Sequence, residues 1–532
     1  MKKIFFFIFV VFLVLFFDAC DSQKSTKVIT VIGTSDLQGV LESSVRDYTI
    51  NGKKQELKGG GIAKIATVFK KAQKENPLGV IIASNGDDLM GRFFHTFKGE
   101  AIYSLFSQAG YAYYAPGNHE FDRGVEVFAD ALGFARFKTI CSDLKVAGTK
   151  LEGKCSSYEI VEKNGVKIGM FSLMTEDFAL ITSPGDVKLV DSNVQTAKKM
   201  VKTLRSKGCE IIVALTHIGF ERDKELAKNV RDIDVIFGGH SHIPTAKIEK
   251  VGDTLVFNGG EQGSYVARLD LPLNKNNIPD KNNAKYTLIP LIASVKDDPM
   301  LKNKLEMYAS QLPASTVLGR TTLEWDLRTD TLRRGESNVA DMINDLLRDK
   351  FHVEIVMNNA GAFRGKSVYP PGDITDTRLH EIDEFSNDVY IFDIKGKYIK
   401  EILEHSAASF GRGGLMQVSG IRYTINLQKQ PQTIEKNKNG EWNITQKGER
   451  VSDIEVIGTD GSLKPLEQEK SYKLLCNAYI VNHNGDGYFW FKKYGTNQKN
   501  TYTTFYSVMV EYLSKHAVLD LKQCDGRLKV CK

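Results

Sequence analysis

Short apolar runs alternate with amphipathic segments along the first half of the chain. Residues 28–33, 80–84, 211–215 and 235–237 are continuous apolar runs with the length of buried strands. Residues 62–73 instead carry apolar side chains at helical spacing. The alternation of strands and helices predicts layers of helices packed on a sheet, as in an α/β fold.

The second half of the chain has a different pattern. An Asn- and Lys-rich stretch at residues 273–285 predicts a solvated loop, and residues 298–312 predict a helix with one apolar face. Residues 337–351 have the spacing of a strongly amphipathic helix, and residues 354–357 follow as a strand. The polar residues 426–449 predict a long hairpin or a surface insert. We therefore expect a second domain to begin near residue 335.

Composition and charge agree with a folded protein of two domains. The chain has 532 residues, of which 42% are hydrophobic and 26% charged, and this length exceeds what one hydrophobic core usually serves. The net charge is +6 and the basic residues form no block or repeat, so nucleic acid is disfavoured as a partner.

The first residues have the features of an export signal. Two lysines precede an unbroken apolar run over residues 4–17, which is too short to span a bilayer comfortably. The run leads into Asp18-Ala19-Cys20, and a small residue before a cysteine at this place resembles a bacterial lipoprotein signal. We predict that residues 1–19 are removed and that a lipid on Cys20 anchors the chain to a bacterial membrane, in the periplasm or at the cell surface. An ordinary secretory signal is the alternative. No later segment has 18 consecutive apolar residues, so no transmembrane helix is expected.

The cysteines permit disulfides in an exported protein but fix no pairing. Besides Cys20 the chain has Cys141, Cys155, Cys209, Cys476, Cys524 and Cys531. Closeness in sequence favours the pairs Cys524 with Cys531 and Cys141 with Cys155. No CxxC motif occurs, so a zinc site built from cysteines is not expected.

Polar motifs follow the predicted strands of the first half. In chain order they are Ser35-Asp36-Leu37-Gln38-Gly39, Asn85-Gly86-Asp87-Asp88, Gly117-Asn118-His119-Glu120-Phe121-Asp122, Thr216-His217 and Gly238-Gly239-His240-Ser241-His242. Any one motif could be an ordinary turn or hold a surface histidine, but loops after strands collect binding groups in α/β folds. Carboxylates, amides and imidazoles in this mixture suit two adjacent divalent ions of the zinc or manganese type, which Asp87 could bridge.

This order of motifs resembles that of the calcineurin-like metallophosphatases and, within them, the 5′-nucleotidase and UDP-sugar hydrolase family. The resemblance implies a four-layered αββα sandwich over residues 27–295, a linking helix and connector over residues 296–334, and a smaller mixed α/β substrate-binding domain over residues 335–532. It implies that one ion is held by Asp36, Gln38, Asp87 and His242, and the other by Asp87, Asn118, His217 and His240. It also implies that His119, oriented by Asp122, stabilises the phosphoryl transition state.

Further motifs extend the resemblance into the second domain. They are Arg334-Gly335-Glu336-Ser337-Asn338, Asn358-Asn359-Ala360-Gly361-Ala362-Phe363-Arg364, Glu384-Phe385-Ser386-Asn387, Gln417-Val418-Ser419-Gly420 and Asn484-Gly485-Asp486-Gly487-Tyr488. The resemblance implies that Arg364, assisted by Arg334 or Arg333, binds phosphate, that Asn359 and Asn387 bond the base, that Phe385 stacks on it, and that Asp486 binds the ribose. Gly420 is expected at a tight turn or a close backbone approach.

Three positions depart from the family's pattern. Gln38 stands where the family usually has His. Some relatives have His at that position and Gln at the end of the last motif, whereas this chain has Gln38 and ends the last motif with His242. The two donors are therefore exchanged rather than lost. Ile480 falls where a second aromatic ring would stack on the base, with Tyr479 adjacent to it. Asn484 replaces the first glycine of the family's GGDGY motif. We therefore expect weaker binding of the base and wider base tolerance.

The motifs and the resemblance together predict an exported hydrolase of nucleotide phosphate esters, a 5′-nucleotidase, with two-metal hydroxide attack assisted by His119 and Asp122. A phosphodiesterase for UDP-sugars or 2′,3′-cyclic nucleotides is an alternative within the same chemistry. A weakly active surface lipoprotein that binds nucleosides or a host partner is an alternative of another class. The physiological substrate, the metal and the oligomeric state stay open.

Overall fold

The computed structural model describes residues 27–50, 52–182, 184–437, 440–458, 461–519 and 524–531. The predicted signal at residues 1–19 and the acylation site at Cys20 lie outside the described residues. Within the described part of the chain, none of the helices combines the length and apolar character needed to cross a bilayer.

The first half of the described chain forms strands β1 to β16 and helices α1 to α8. The strands are β1 (Val28–Thr34), β2 (Ser44–Ile50), β3 (Lys53–Gly59), β4 (Val80–Ser84), β5 (Tyr113–Tyr114), β6 (Lys138–Thr139), β7 (Leu144–Lys145), β8 (Glu159–Lys163), β9 (Val166–Met174), β10 (Lys188–Leu189), β11 (Ile211–His217), β12 (Val235–Gly238), β13 (Glu249–Val251), β14 (Thr254–Asn258), β15 (Tyr265–Pro272) and β16 (Lys285–Pro290). The helices are α1 (Ile62–Glu75), α2 (Gly91–Phe97), α3 (Glu100–Ala109), α4 (Val125–Ala131), α5 (Phe178–Ile181), α6 (Asn193–Ser206), α7 (Phe220–Asn229) and α8 (Pro299–Ala309).

Two six-stranded sheets with helices on their outer faces form the first domain. Their strand orders are β16-β15-β1-β4-β5-β6 and β13-β14-β12-β11-β9-β8. Ile29 and Val31 of β1 share an inter-sheet core with Val213 of β11, whereas Ile32 faces helices α1 and α3. The strand is apolar on both faces because both faces are covered. Helices α6 and α7 cover the other sheet, so the predicted αββα sandwich is confirmed.

Helix α8, which the sequence predicts as part of the connector, packs on the first domain. Its apolar face, with Leu301, Leu305 and Tyr308, joins the core around α1 and α3. The helix begins after Asp298, whose carboxylate accepts a hydrogen bond from the Leu301 backbone N–H at 3.1 Å. This cap satisfies one of the free N–H groups of the first turn. Helix α8 therefore packs as part of the first domain.

The second domain contains strands β17 to β31 and helices α9 to α15. The strands are β17 (Val317–Thr321), β18 (Trp325–Asp326), β19 (Ile355–Asn359), β20 (Val368–Tyr369), β21 (Gly372–Thr375), β22 (Val389–Lys395), β23 (Met416–Ser419), β24 (Ile421–Asn426), β25 (Thr433–Lys436), β26 (Trp442–Gln446), β27 (Val451–Ile457), β28 (Leu463–Pro465), β29 (Ser471–Asn477), β30 (Thr496–Asn500) and β31 (Leu528–Cys531). The helices are α9 (Thr329–Arg334), α10 (Asn338–Phe351), α11 (Asp376–Ile382), α12 (Gly396–Ala408), α13 (Ala478–His483), α14 (Trp490–Tyr494) and α15 (Phe505–Lys515).

The second domain has its own hydrophobic core, built on a sheet of order β23-β19-β29-β22-β30 and a smaller sheet of order β28-β27-β24-β31. Helix α10 packs on this core through Val339, Ile343 and Leu347, as its amphipathic spacing predicts. Strands β25 and β26 form the hairpin expected within residues 426–449. The predicted mixed α/β domain is therefore confirmed.

The cysteine pairs favoured by sequence proximity do not form. All six described cysteines, Cys141 to Cys531, are free thiols. Cys141 is buried beside Cys155, and burial together with the neighbouring thiol raises the pKa of Cys141. Cys531 ends strand β31, which pairs with β24 at Asn426. Its position is therefore set by the sheet and not by a bond to Cys524.

Candidate metal centre and substrate cleft

The polar motifs of the first domain meet where strands of both sheets end. Asp36 and Gln38 follow β1, and Asp87 follows the parallel neighbour β4. His217 is the last residue of β11, and His240 follows the parallel neighbour β12. Because parallel strands bring their carboxyl ends to one edge of a sheet, side chains that are far apart in sequence become neighbours.

The carboxylates and imidazoles form two clusters that share one residue. Ligand atoms of Asp87, His217 and His240 lie within 4.8 Å of one another, and so do those of Asp36, Asp87 and His242. His217 Nε2 lies 3.1 Å from Asp87 Oδ2, and His242 Nε2 lies 3.4 Å from Asp36 Oδ1. The structure thus brings together five of the seven side chains predicted for the two ions, and Asp87 is common to both clusters.

Hydrogen bonds around these clusters fit a bound metal. His217 Nδ1 donates to the Asn85 carbonyl oxygen at 2.6 Å, and His242 Nδ1 lies 3.1 Å from a carboxylate oxygen of Glu261. An outer partner on one ring nitrogen directs the lone pair of the other nitrogen toward an ion. Asn118 Oδ1 is buried and has no hydrogen-bond partner among the described residues. A buried oxygen left unpaired is unfavourable unless something binds it, so the donor set fits a divalent ion.

Strained backbone holds most of the predicted ligands in place. Left-handed φ angles occur at Asp36 (52°), Gln38 (53°), Asp87 (57°), His240 (75°) and His242 (61°). Such angles in residues other than glycine cost about 1–3 kcal/mol each and concentrate at functional sites. The surrounding fold must therefore fix these loops firmly.

Two buried carboxylates, to which the motifs assign no role, fix the loops. Glu120 accepts hydrogen bonds from the backbone N–H groups of Asp87, Asp88 and Gly117 at 2.7–2.8 Å. Asp88 accepts from the Leu37 N–H at 3.0 Å. Burial raises the pKa of both carboxyls, and neighbouring carboxylates raise it further. Both residues lie inside the motifs named above, and that position could have identified them from the sequence.

His119 lies beside the shared Asp87 and is held by a short chain of hydrogen bonds. Its Nδ1 is 2.6 Å from Asp122 Oδ2, and Thr182 donates to the other oxygen of Asp122 at 2.9 Å. Its Nε2 is 3.8 Å from Asp87 Oδ2. Burial alone would lower the pKa of His119, but the charges of Asp122 and Asp87 outweigh it and raise this pKa to about 9. The imidazole is thus set up to carry a positive charge.

The second domain closes over His119. Phe385 stacks on the His119 ring with centroids 5.8 Å apart, and the Arg364 guanidinium lies 5.2 Å from the Phe385 ring. Glu384 joins the domains, since it accepts from the Gly91 N–H and from Arg364 Nε, both at 3.1 Å. Arg364 Nη2 is buried with no hydrogen-bond partner among the described residues. Arg364 also lines a small cavity with Arg333 and Lys366.

Polar groups expected to bind a nucleoside pair with one another in the second domain. Asn359 Nδ2 donates to Asp486 Oδ2 at 2.9 Å, and Asn359 Oδ1 accepts from Asn477 at 3.0 Å. The Tyr479 hydroxyl lies 3.4 Å from Asp486 Oδ1. Burial raises the pKa of Asp486. Asn387 is half-buried on the same loop as Phe385.

Ile480 lies in the core and Arg334 on the surface, whereas Gly420 occupies the tight turn expected of it. Ile480 is fully buried in the core of the second domain, because α13 turns its side chain inward and leaves Tyr479 beside Asp486. Arg334 is exposed and pairs with Asp330 on the outside of α9, whereas Arg333 lines a small cavity with Arg364. Gly420 is buried at the turn after β23, where a Cβ atom would lie 2.0 Å from the Glu354 carbonyl oxygen.

Asn484 suits the position that it occupies. Its backbone has a left-handed φ of 53°, a conformation that asparagine tolerates better than most residues. The next residue, Gly485, could not be replaced so easily, because a Cβ atom there would meet the Tyr479 ring at 2.4 Å. The departure from the family's motif at position 484 therefore preserves the turn that presents Asp486.

Comparisons with known proteins agree with this architecture. A family model described as calcineurin-like phosphoesterase matches residues 29–244, and one described as 5′-nucleotidase, C-terminal domain, matches residues 317–493. The 5′-nucleotidase of Mus musculus is 27% identical over 94% of this chain and 90% of its own length. The trifunctional nucleotide phosphoesterase protein YfkN of Bacillus subtilis is 27% identical over 84% of this chain, and the chain spans only 32% of YfkN.

A solved structure extends this similarity to three dimensions. The 5′-nucleotidase precursor of Thermus thermophilus has a TM-score of 0.82 and 27% identity, over 95% of this chain and 99% of its own. The sulfate thiohydrolase SoxB from Thermus thermophilus has a TM-score of 0.73 at 18% identity, over 94% of this chain and 96% of its own, and shares the fold alone.

Proposed function

Because the chain belongs to the 5′-nucleotidase family of calcineurin-like phosphoesterases, and is a metal-dependent phosphoester hydrolase, we propose that its substrates are nucleotides and that two divalent ions share Asp87. The observation that carries this proposal is the membership of Asp87 in both donor clusters. A carboxylate common to two sites is typical of two-metal hydrolytic centres, whose ions lie about 3.5–4 Å apart.

The residues that would hold the ions divide between the two clusters. Asp36, Gln38, Asp87 and His242 would hold the first ion, and Asp87, Asn118, His217 and His240 the second. Imidazole, amide and carboxylate donors together suit zinc or manganese. When bound, such ions lower the pKa of a coordinated water and polarise a phosphoryl oxygen.

His119 would stabilise the charge that develops during phosphoryl transfer. Asp122 holds its Nδ1, so Nε2 is free to donate a hydrogen bond to a phosphoryl or leaving-group oxygen. Thr182 occupies the other oxygen of Asp122 and limits rotation of that carboxylate. In this role the chain would supply a fixed imidazole that donates from Nε2, and no covalent nucleophile would be needed.

The second domain would bind the rest of the nucleotide. The free Nη2 of Arg364, with Arg333 nearby, would donate to phosphate, because a guanidinium binds phosphate oxygens in a forked geometry. Asp486 would accept from the ribose hydroxyls after exchanging its present partner Asn359. Phe385 would stack on the base after leaving His119.

Phosphodiester substrates are the second candidate. The name of YfkN describes a trifunctional nucleotide phosphoesterase, and that protein shares 27% identity with this chain. The same two-ion chemistry serves monoesters and diesters. UDP-sugars and 2′,3′-cyclic nucleotides therefore belong in the substrate tests.

We also propose that the protein is exported and anchored by a lipid on Cys20. The apolar run at residues 4–17 and the Ala19-Cys20 pair support this proposal. Cys20→Ser should release the protein from the membrane fraction, and mass spectrometry of the wild-type N-terminus should detect the lipid. An unmodified N-terminus other than Cys20 would favour the ordinary secretory signal.

One experiment tests the catalytic proposal directly. Phosphate release is measured for nucleoside monophosphates, UDP-sugars, 2′,3′-cyclic nucleotides and a small phosphate ester, with and without chelator, beside elemental analysis. We expect hydrolysis of nucleoside monophosphates that stops with chelator and returns when zinc or manganese is restored. Full metal content without hydrolysis of any ester would instead support the surface lipoprotein that binds nucleosides or a host partner.

A further inference from the structure

Lys366 is a second-domain residue whose side chain enters the metal centre of the first domain. Its Nζ donates a hydrogen bond to Gln38 Oε1 and lies 3.2 Å from Glu261 Oε2. Only 15% of the Lys366 side chain is exposed. No motif of the sequence contains Lys366 or Glu261, so neither residue was a candidate beforehand.

The backbone at Lys366 is strained in the same way as the backbone of the ligand loops. Its φ is 49°, after a φ of 98° at Gly365. The Tyr369 hydroxyl bonds the Gly365 carbonyl oxygen at 3.2 Å and fixes this turn. A left-handed lysine persists only where the surrounding structure determines it. The direction of the Lys366 side chain is therefore a property of the folded second domain.

Lys366 contacts one end of the Gln38 amide, and the other end faces the ligands. Gln38 Nε2 lies 3.3 Å from His242 Nε2, whereas Oε1 faces Lys366. Only the amide oxygen can bind a metal, because the amide nitrogen is a donor. Lys366 and an ion at the first site thus require the same atom.

Without the Gln38 oxygen, the first cluster keeps Asp36, Asp87 and His242 as its donors. Catalytic metal sites commonly have three protein ligands and one open position, whereas closed sites with four are structural. Lys366 also pairs with Glu261, the carboxylate that faces His242 Nδ1 at 3.1 Å. The positive charge of Lys366 competes with His242 for this carboxylate and so weakens its support for His242 as a ligand. Both contacts act against tight binding of the first ion.

We propose that Lys366 is a positioning residue that turns the Gln38 oxygen away from the first ion when the domains are docked. Docking then leaves one coordination position open for a phosphate oxygen and couples the position of the second domain to a weaker first ion site. The inference rests on the proposed two-ion function.

The test measures ion affinity as well as activity. Lys366→Met is compared with Lys397→Met, which removes an exposed lysine that pairs with Glu469. Zinc release is followed by elemental analysis against a series of chelator concentrations, and His242→Ala assigns the release step of the first ion. We expect Lys366→Met to bind the first ion about tenfold more tightly while kcat falls, and Lys397→Met to match wild type. Thermal unfolding verifies that each variant is folded.

A double-mutant cycle with Gln38→Ala separates this role from simple charge repulsion. If Lys366 acts through the Gln38 oxygen, Lys366→Met should change ion affinity by less than about threefold once that oxygen is absent. An equal gain in both backgrounds would mean that the lysine only repels the ion, and would overturn the proposal. Unchanged ion affinity in Lys366→Met would overturn it as well.

These outcomes are distinct from failure of the proposed function. If wild-type protein binds two ions but hydrolyses no nucleotide, the nucleotidase proposal fails while the ion-release measurements still decide the role of Lys366. If the wild type binds one ion or none under saturating zinc, both proposals fail together.

Discussion

Two asparagines, one in each domain, show how differently the two sides of the cleft are built. Asn118 in the first domain is 3% exposed, and its Oδ1 has no hydrogen-bond partner among the described residues. Asn359 in the second domain is equally buried but bonds Asp486 through one end of its amide and Asn477 through the other. Asn118 thus offers a buried acceptor to an external ligand, whereas the amide of Asn359 is already bonded at both ends.

This difference indicates how much each domain must rearrange when substrate binds. The metal centre has strained loops, fixed by Glu120, around donors that already converge, so binding an ion needs little rearrangement. Asp486 and Phe385 must exchange their present contacts with Asn359 and His119 before they can bind a nucleoside. Arg364 needs no such exchange, since its Nη2 has no hydrogen-bond partner among the described residues.

The largest effect is expected from replacing Asp87, the residue that both ion sites share. Asp87→Ala should lower kcat by about 10⁴-fold or more and reduce the metal content at both sites, because it removes the bridging donor. Phosphate release and elemental analysis measure the two effects. Asp130→Ala, an exposed carboxylate on α4, is the matched control. Retained activity in metal-stripped Asp87→Ala protein would contradict the two-metal mechanism.

His119 tests whether catalysis at the metal centre can be separated from metal binding. His119→Ala should lower kcat by about 10²–10⁴-fold with unchanged metal content, because the imidazole acts on the transition state rather than on the ions. The exposed His516 provides a control for replacing a histidine. Loss of an ion from the His119→Ala protein would make His119 a ligand instead.

Asp486 tests the role of the second domain in binding the nucleoside. Asp486→Asn keeps the size and tolerates the left-handed φ of 52°, but removes the charged acceptor for the ribose hydroxyls. KM for nucleotides should rise about tenfold, while KM for a small phosphate ester without ribose stays unchanged. Asp373→Asn, at a largely exposed carboxylate, is the control. An equal rise for both substrates would show that Asp486 acts on the metal centre or on the fold.

The smallest expected effect comes from Thr182, which sharpens the account of how His119 is oriented. Thr182→Val has nearly the same shape but loses the hydrogen bond to Asp122, so kcat should fall about 2–10-fold while KM stays the same. Thr182→Ser keeps the hydroxyl and should restore the wild-type rate. If the valine and serine variants lose activity equally, packing rather than the hydrogen bond is responsible.

Local patterns in the sequence predicted much of the fold and many of the residues that meet at the candidate metal centre. The apolar runs that became β1, β4, β11 and β12 were predictable because a strand buried on both faces is apolar along its whole length. Most candidate donors were predictable because they lie at or just after the end of such a strand, whereas Asn118 follows the two-residue strand β5, which was not predicted. The structure places them together, while their roles as ligands stay predictions.

Tertiary structure alone decided the contacts that join distant parts of the chain. Lys366 bonds Gln38 across 328 positions, and Thr182 bonds Asp122 across 60, and no local motif marks either contact. At the start of α13, the orientation of the helix places Ile480 in the core and Tyr479 beside Asp486. The orientation of α9 likewise places Arg334 on the surface and Arg333 beside Arg364. Local patterns determine which residues follow a strand or share a helix face. The choice of the face that meets the cleft depends on how whole domains pack, which no short stretch of sequence encodes.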